Sequence, residues 1–262
     1  MQEVSRNAIE AAGRWLGNLE TLCELTLEGR WENVQHCVFK GITLHHIHHL
    51  LLYLTSPAGE DLFSLIPPTF PALRVLNIQV QWNARADPSP KFRVSDLTGL
   101  GAHPMKKITL YNLPLRTSSD DIPILLSTWP LLETIILVPD EAIRSGFVFN
   151  AKLVLAQASR LGTRFKRTAL RLDFTSLVTA PTTSLPPSHS PLQRLTLFPS
   201  STVIPESWKD KLKLVVNLLT LFPQLVSIDM ISLTDNDLQS ILDVFQELLS
   251  SPPRKYGHLS LK

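Results

Sequence analysis

Four histidines crowd into five positions, His45, His46, His48 and His49, in the run HHIHH. Imidazole is the commonest side-chain ligand for transition metals, so such a cluster suits zinc, nickel or copper. A His-x-His-x-Asp-His run would use His46 and His48, but His49 and Leu50 to Leu52 supply neither the Asp nor the last His. The plain alternative is a solvated turn leading into a strand. A second cluster, TRFKRTALR, gathers Arg164, Lys166, Arg167 and Arg171 around Phe165. Cations beside an aromatic ring can hold phosphate or a single-stranded nucleic acid. They also suit a solvated face, or a helix C-terminus after Leu161–Gly162. Gly99 and Gly101 lack the third glycine of a dinucleotide loop, and no GxSxG, Walker loop, HExxH or CxxC occurs. Cys23 and Cys37 read as structural, and Asp120–Asp121 as helix N-terminal charge. No catalytic residue and no cofactor is assigned.

Composition narrows the classes further. Of 262 residues, 44% are apolar and 18% charged, enough to bury a sizeable core. Basic and acidic residues number 25 and 23, a net charge of +2, which gives nucleic-acid binding no general support. No apolar run approaches the roughly 20 residues of a membrane span, so no membrane association is expected. Two cysteines make no disulfide framework, which points to a reducing compartment, cytoplasm or nucleus. Glycine is scarce and proline plentiful, 10 against 20, which argues against glycine-loop nucleotide folds.

The elements that would position any site follow from a repeat. An apolar residue, two spacers, an apolar residue, one spacer and an apolar residue recur nine times. The copies start at Leu22, Ile47, Leu73, Met105, Leu132, Arg167, Leu192, Leu225 and Tyr256, the copy at Arg167 being weak. Their spacings are 25, 26, 32, 27, 35, 25, 33 and 31 residues. Five copies have proline at or just before their entry (FPAL, HPM, WPLL, SPL, FPQL), which stops a preceding helix and favours extended backbone. On a strand the fourth and sixth positions share one face and point into a core. One such unit cannot bury its apolar face alone, but stacked units with parallel strands can.

The intervening segments should cross back as helices. SSDDIPILLSTW begins with Ser118, Ser119, Asp120 and Asp121, good first-turn residues. A helix is read from about Asn150. ESWKDKLKLVVNLLTLF aligns Trp208, Leu212, Val215 and Leu219, and TDNDLQSILDVFQELL aligns Leu238, Ile241, Leu242, Phe245 and Leu249. EDLFSLI (60–66) and VSDLTGL (94–100) read as shorter helical pieces, and Gln2 to about Leu16 as a first helix. The stretches 82–92 and 176–191 are rich in Pro, Ser or Thr and read as loops, the second as a flexible insertion inside one domain spanning 1–262.

These Leu-x-x-Leu-x-Leu copies, with irregular spacing and FP-x-L entries, resemble leucine-rich repeats, and more specifically the irregular repeats of fungal F-box-like proteins. The resemblance runs from Leu19 to Leu261. It implies an α/β solenoid of about eight or nine repeats, with a parallel sheet on the concave side and helices on the convex side. It also implies a non-catalytic protein-binding module, the substrate-recognition part of a ubiquitin-ligase adaptor. The pattern departs from the regular repeat in one respect. The usual Asn or Cys after each strand is replaced, for example by Arg30, Thr55, Gln81 and Leu113, so no asparagine ladder is expected. No F-box is found, so contact with a cullin-ligase adaptor would need one outside this chain. One or both ends are expected to be truncated, since YGHLSLK supplies no cap.

Function then falls to the strand residues facing away from the core. Those expected to carry partner binding are Tyr53, Gln79, Lys107, Tyr111, Ile136, Val138, Arg171, Asp173, Arg194, Phe198 and Asp229. A metal-binding protein or metal-dependent enzyme using His45, His46, His48 and His49 is the alternative.

Overall fold

Alternation builds the frame. In HLLLYL (His49–Leu54, β2), Leu50, Leu52 and Leu54 are fully buried while His49, Leu51 and Tyr53 retain exposure. The computed structural model describes residues 21–39, 42–81, 92–116, 121–138, 149–150, 167–169, 172–173, 178, 193–197, 207–230 and 243–247. The same alternation runs through β1 (Glu24–Gly29) and β3 (Val75–Val80), while in β5 (Lys107–Tyr111) and β7 (Thr134–Val138) the middle residues Thr109 and Ile136 are buried as well. Shorter strands β9 (Arg167–Ala169), β11 (Arg194–Leu197) and β12 (Ser227–Met230) extend the series. Together they form one eight-stranded sheet in the order β1-β2-β3-β5-β7-β9-β11-β12, every neighbouring pair parallel. The molecule is thus an α/β protein in which each strand lies beside the next one of its sheet along the chain.

Crossovers close one face. Helix α1 (Trp31–Val34) runs into a π-helical turn (Gln35–Phe39), and α2 (Leu62–Thr69) follows β2. A 3-10 segment (Val94–Leu100) follows β3, α3 (Asp121–Thr128) follows β5 and α4 (Trp208–Leu221) follows β11. Their apolar faces join the inward strand residues in one cluster that includes Leu50, Ile78, Leu110, Leu126 and Leu218. Ser207 caps α4: its Oγ accepts from the Asp210 N–H at 3.2 Å and donates to the Asp210 carboxylate at 3.0 Å. Asp96 does similar work for the 3-10 segment, accepting from the Arg93 N–H at 2.8 Å. Asn112, with φ 55°, turns the chain out of β5, and its N–H donates to the Val138 carbonyl at 2.8 Å.

The missing asparagine ladder has a replacement at the opposite end of the strands. Three residues before the motifs that start at Leu73, Leu132 and Leu225, Phe70, Trp129 and Phe222 are buried whole. Trp129 Nε1 donates to the Leu100 carbonyl of the preceding unit at 3.1 Å. His103 stands between two carbonyls, Nδ1 at 3.2 Å from Leu100 and Nε2 at 3.0 Å from Phe70. These bonds tie the end of one crossover to the next, where helix-end carbonyls lack intrahelical donors.

Several expectations change. The α4 face that packs is Leu214, Val215, Leu218 and Phe222, and Trp208 is 57% exposed. Leu214, Leu218 and Phe222 form an i, i+4, i+8 stripe that continues to the buried Leu225; of the expected stripe, Val215 is buried, Leu212 and Leu219 are partly buried against the core, and Trp208 alone is exposed. Asn150 itself belongs to a two-residue strand β8 (Phe149–Asn150) paired with β10 (Leu172–Asp173), and the rest of the helix expected from about Asn150 lies outside the described residues. Phe92, expected in a loop, is buried in β4 (Phe92–Arg93), which pairs with β6 (Leu115–Arg116). Val178, inside the expected 176–191 loop, is helical and buried. Val244 and Phe245 are buried in a helical stretch at 243–247. The helix at residues 2–16, the rest of 176–191 and the copy at Tyr256 lie outside the described residues. Among the described residues no helix is long and apolar enough to cross a membrane.

Candidate interaction face

Strand register sorts the outward residues into three rows. The row at the strand starts reads Glu24, His49, Val75, Lys107, Thr134, Arg167, Arg194 and Ser227. The middle row reads Thr26, Leu51, Asn77, Thr109, Ile136, Ala169, Thr196 and Asp229. The row at the strand ends reads Glu28, Tyr53, Gln79, Tyr111 and Val138. Among the described residues no helix of the main core packs on this open face. Ile136 is 5% exposed, yet it belongs to a separate apolar cluster with Tyr111 and Val138. Beside it, Thr109 Oγ1 and Asn77 Oδ1 are enclosed and have no hydrogen-bond partner among the described residues. The face therefore has an enclosed centre at Thr109 and Ile136, flanked by the half-buried Tyr111 and Val138, with charge arranged by row.

The charges are graded along the first row. Glu24 lies at the β1 edge, and its carboxylate stands 3.6 Å from His49 Nδ1. Lys107, Arg167 and Arg194 follow on β5, β9 and β11, all exposed. Among the described residues none of these three forms an ion pair.

The expected face residues divide accordingly. Tyr53, Gln79, Lys107, Tyr111, Ile136, Val138 and Arg194 stand on the open face, and Asp229 holds a register position there opposite Thr196. Arg171 and Phe198 lie outside the described residues. Asp173 is a correction: it pairs with Asn150 in the separate two-stranded sheet. The register also corrects the weak copy. Thr168 aligns with the inward Ile135, so Arg167 sits on the open face and does not open the motif. The six-residue frame then begins at Phe165, in FKRTAL, 33 residues after Leu132 and 27 before Leu192. Counting leucines favoured Leu170 with Leu172, whereas even spacing would have found this frame.

The histidine cluster does not converge. His45 and His46 occupy an exposed turn between the buried Leu44 and Ile47. His48 Nδ1 lies 3.0 Å from the Ala72 carbonyl, and His49 faces Glu24. His48 and His49 are neighbours on extended backbone, so their side chains leave on opposite sides. Among the described residues no group of three or more His, Cys, Asp or Glu side chains could hold a metal ion. Burial pushes the Cys37 thiol up, so at neutral pH it is a weak nucleophile. The chain matches no family of known proteins, no curated protein and no solved structure.

Proposed function

We propose that the chain is a leucine-rich-repeat-type solenoid whose open sheet face docks a partner protein. By the resemblance to fungal F-box-like repeats, the partner is a substrate that this region selects for a ubiquitin-ligase adaptor in the cytoplasm or nucleus, without catalysis by the chain itself. The observation that carries the docking reading is the apolar cluster of Tyr111, Ile136 and Val138, which sits apart from the core on the face away from the crossovers. Clusters of that kind on an open face mark partner sites, aromatic residues above all. The ligase link rests on the resemblance alone.

The test is affinity capture of the tagged chain from its native cell extract with mass spectrometry, extended upstream where the reading frame allows. A Tyr111→Ala, Val138→Ser double variant is run in parallel, with thermal unfolding as the control for folding. A specific partner that is captured by the parent and lost by the variant supports docking, and co-capture of cullin-ligase adaptor components supports the adaptor role. A partner retained equally by the variant moves the docking surface elsewhere.

A further inference from the structure

We infer that the open face selects a negatively charged, extended segment of its partner protein, with an apolar side chain set among the acidic ones. This rests on the docking reading above and names the chemistry of the segment. Lys107, Arg167 and Arg194 lie in one row across the sheet, and parallel neighbours lie about 4.8 Å apart, so the row spans about 14 Å. An extended peptide covers that distance in about four residues. Thr134 separates Lys107 from Arg167, and Ile136 stands two residues further along the same strand. A segment crossing the row thus meets cations on both sides and an apolar patch beside the gap. Strand β7 itself, Thr134–Val138, carries no acidic residue.

Three exposed cations that form no ion pair among the described residues, on one side of a sheet, set up a positive field over an otherwise nearly neutral protein. Such a field steers a negative ligand and rejects a positive one. A peptide fits better than a nucleic acid for two reasons. The row ends at Glu24, which would repel a continuing phosphate backbone, and the aromatic Tyr111 is packed against Ile136 and Val138 instead of standing free for base stacking.

Selection of random extended peptides displayed on phage against the full chain tests this. Enriched peptides should carry Asp or Glu flanking an apolar residue. An Arg167→Glu, Arg194→Glu double variant should weaken them at least about tenfold while unfolding at the same temperature as the parent. Peptides enriched without acidic bias, but lost on the Tyr111→Ala, Val138→Ser variant, would overturn the acidic preference and leave docking on this face standing. Peptides indifferent to both double variants would overturn both. Displacement of the peptides by a single-stranded oligothymidine at lower concentration than by a soluble acidic peptide would also overturn the inference, in favour of phosphate chemistry.

Discussion

The two faces of the sheet are built from the same strands and obey different rules. On the closed face the inward residues of β2, β3, β5 and β7 are aliphatic almost without exception and almost wholly out of water. On the open face neighbouring strands present His49, Val75, Lys107 and Thr134 in one row and Tyr53, Gln79, Tyr111 and Val138 in another. Packing against crossovers demands one chemistry at every closed-face position, because a polar group there would lose its water without gaining a partner. Outside its enclosed centre at Thr109 and Ile136, the open face is under a weaker demand, and its residues vary in chemistry from strand to strand. The core is concentrated on one side of each strand, and the recognition proposed above falls to the other.

Substitutions can break that division, and the closed face should suffer most. Trp129→Ala removes a buried indole and its bond to the Leu100 carbonyl, and should cost about 3–5 kcal/mol in denaturant unfolding. Trp129→Phe keeps much of the volume and removes one donor from a carbonyl that still accepts from the His103 N–H at 2.9 Å, so a smaller loss of about 0.5–1.5 kcal/mol is expected. Equal losses from the two variants would assign the whole effect to the bond and none to packing. His103→Ala comes next. It strips the ring between the Leu100 and Phe70 carbonyls and should cost about 1–3 kcal/mol, read by the same unfolding measurement. His103→Gln, which keeps a side-chain donor, should recover part of the loss.

The division was largely legible in the sequence, because its period-two pattern is a direct consequence of strand geometry. Leu25, Leu50, Leu76, Ile108, Ile135, Leu195 and Ile228 all stand at their expected inward positions. Legibility failed where a position was filled by the wrong kind of residue. Thr168 occupies an inward register position that leucine normally marks, and so Arg167 was missed as part of the open face. The helix faces were harder, since α4 offered two apolar stripes and only packing chose between them. The inter-unit bonds of Trp129 and His103 leave no periodic trace beyond the aromatic or histidine before proline. Nothing in the sequence could show that the cluster of Tyr111, Ile136 and Val138 would stand apart from the core, because that depends on which strands neighbour each other.

Open-face changes should leave folding almost untouched, which sharpens the contrast. Lys107→Gln should shift stability by no more than about 0.5 kcal/mol, since the side chain is exposed and forms no ion pair among the described residues. The same change should lower affinity for an acidic peptide, measured by fluorescence anisotropy at low and high salt. The difference between variant and parent should shrink as salt rises, because screening removes what Lys107 supplies. A stability loss as large as that of His103→Ala would show that Lys107 helps hold the sheet, and the separation of the two faces would fail at that strand.

The smallest effect concerns the two thiols, which sample the boundary between the faces. Cys37 packs against the closed-face core, while Cys23 is exposed just before β1. Burial raises the Cys37 pKa, so at a given mildly alkaline pH it holds less thiolate, the reactive form. Iodoacetamide near pH 8 should therefore modify Cys23 well before Cys37, as followed by peptide mass spectrometry. Urea sufficient to unfold the chain should erase the difference, because both thiols then meet water equally. Should Cys37 react as fast as Cys23 in the folded protein, the turn that follows α1 would be opening readily, and the closed face would end at β2 instead of continuing over β1.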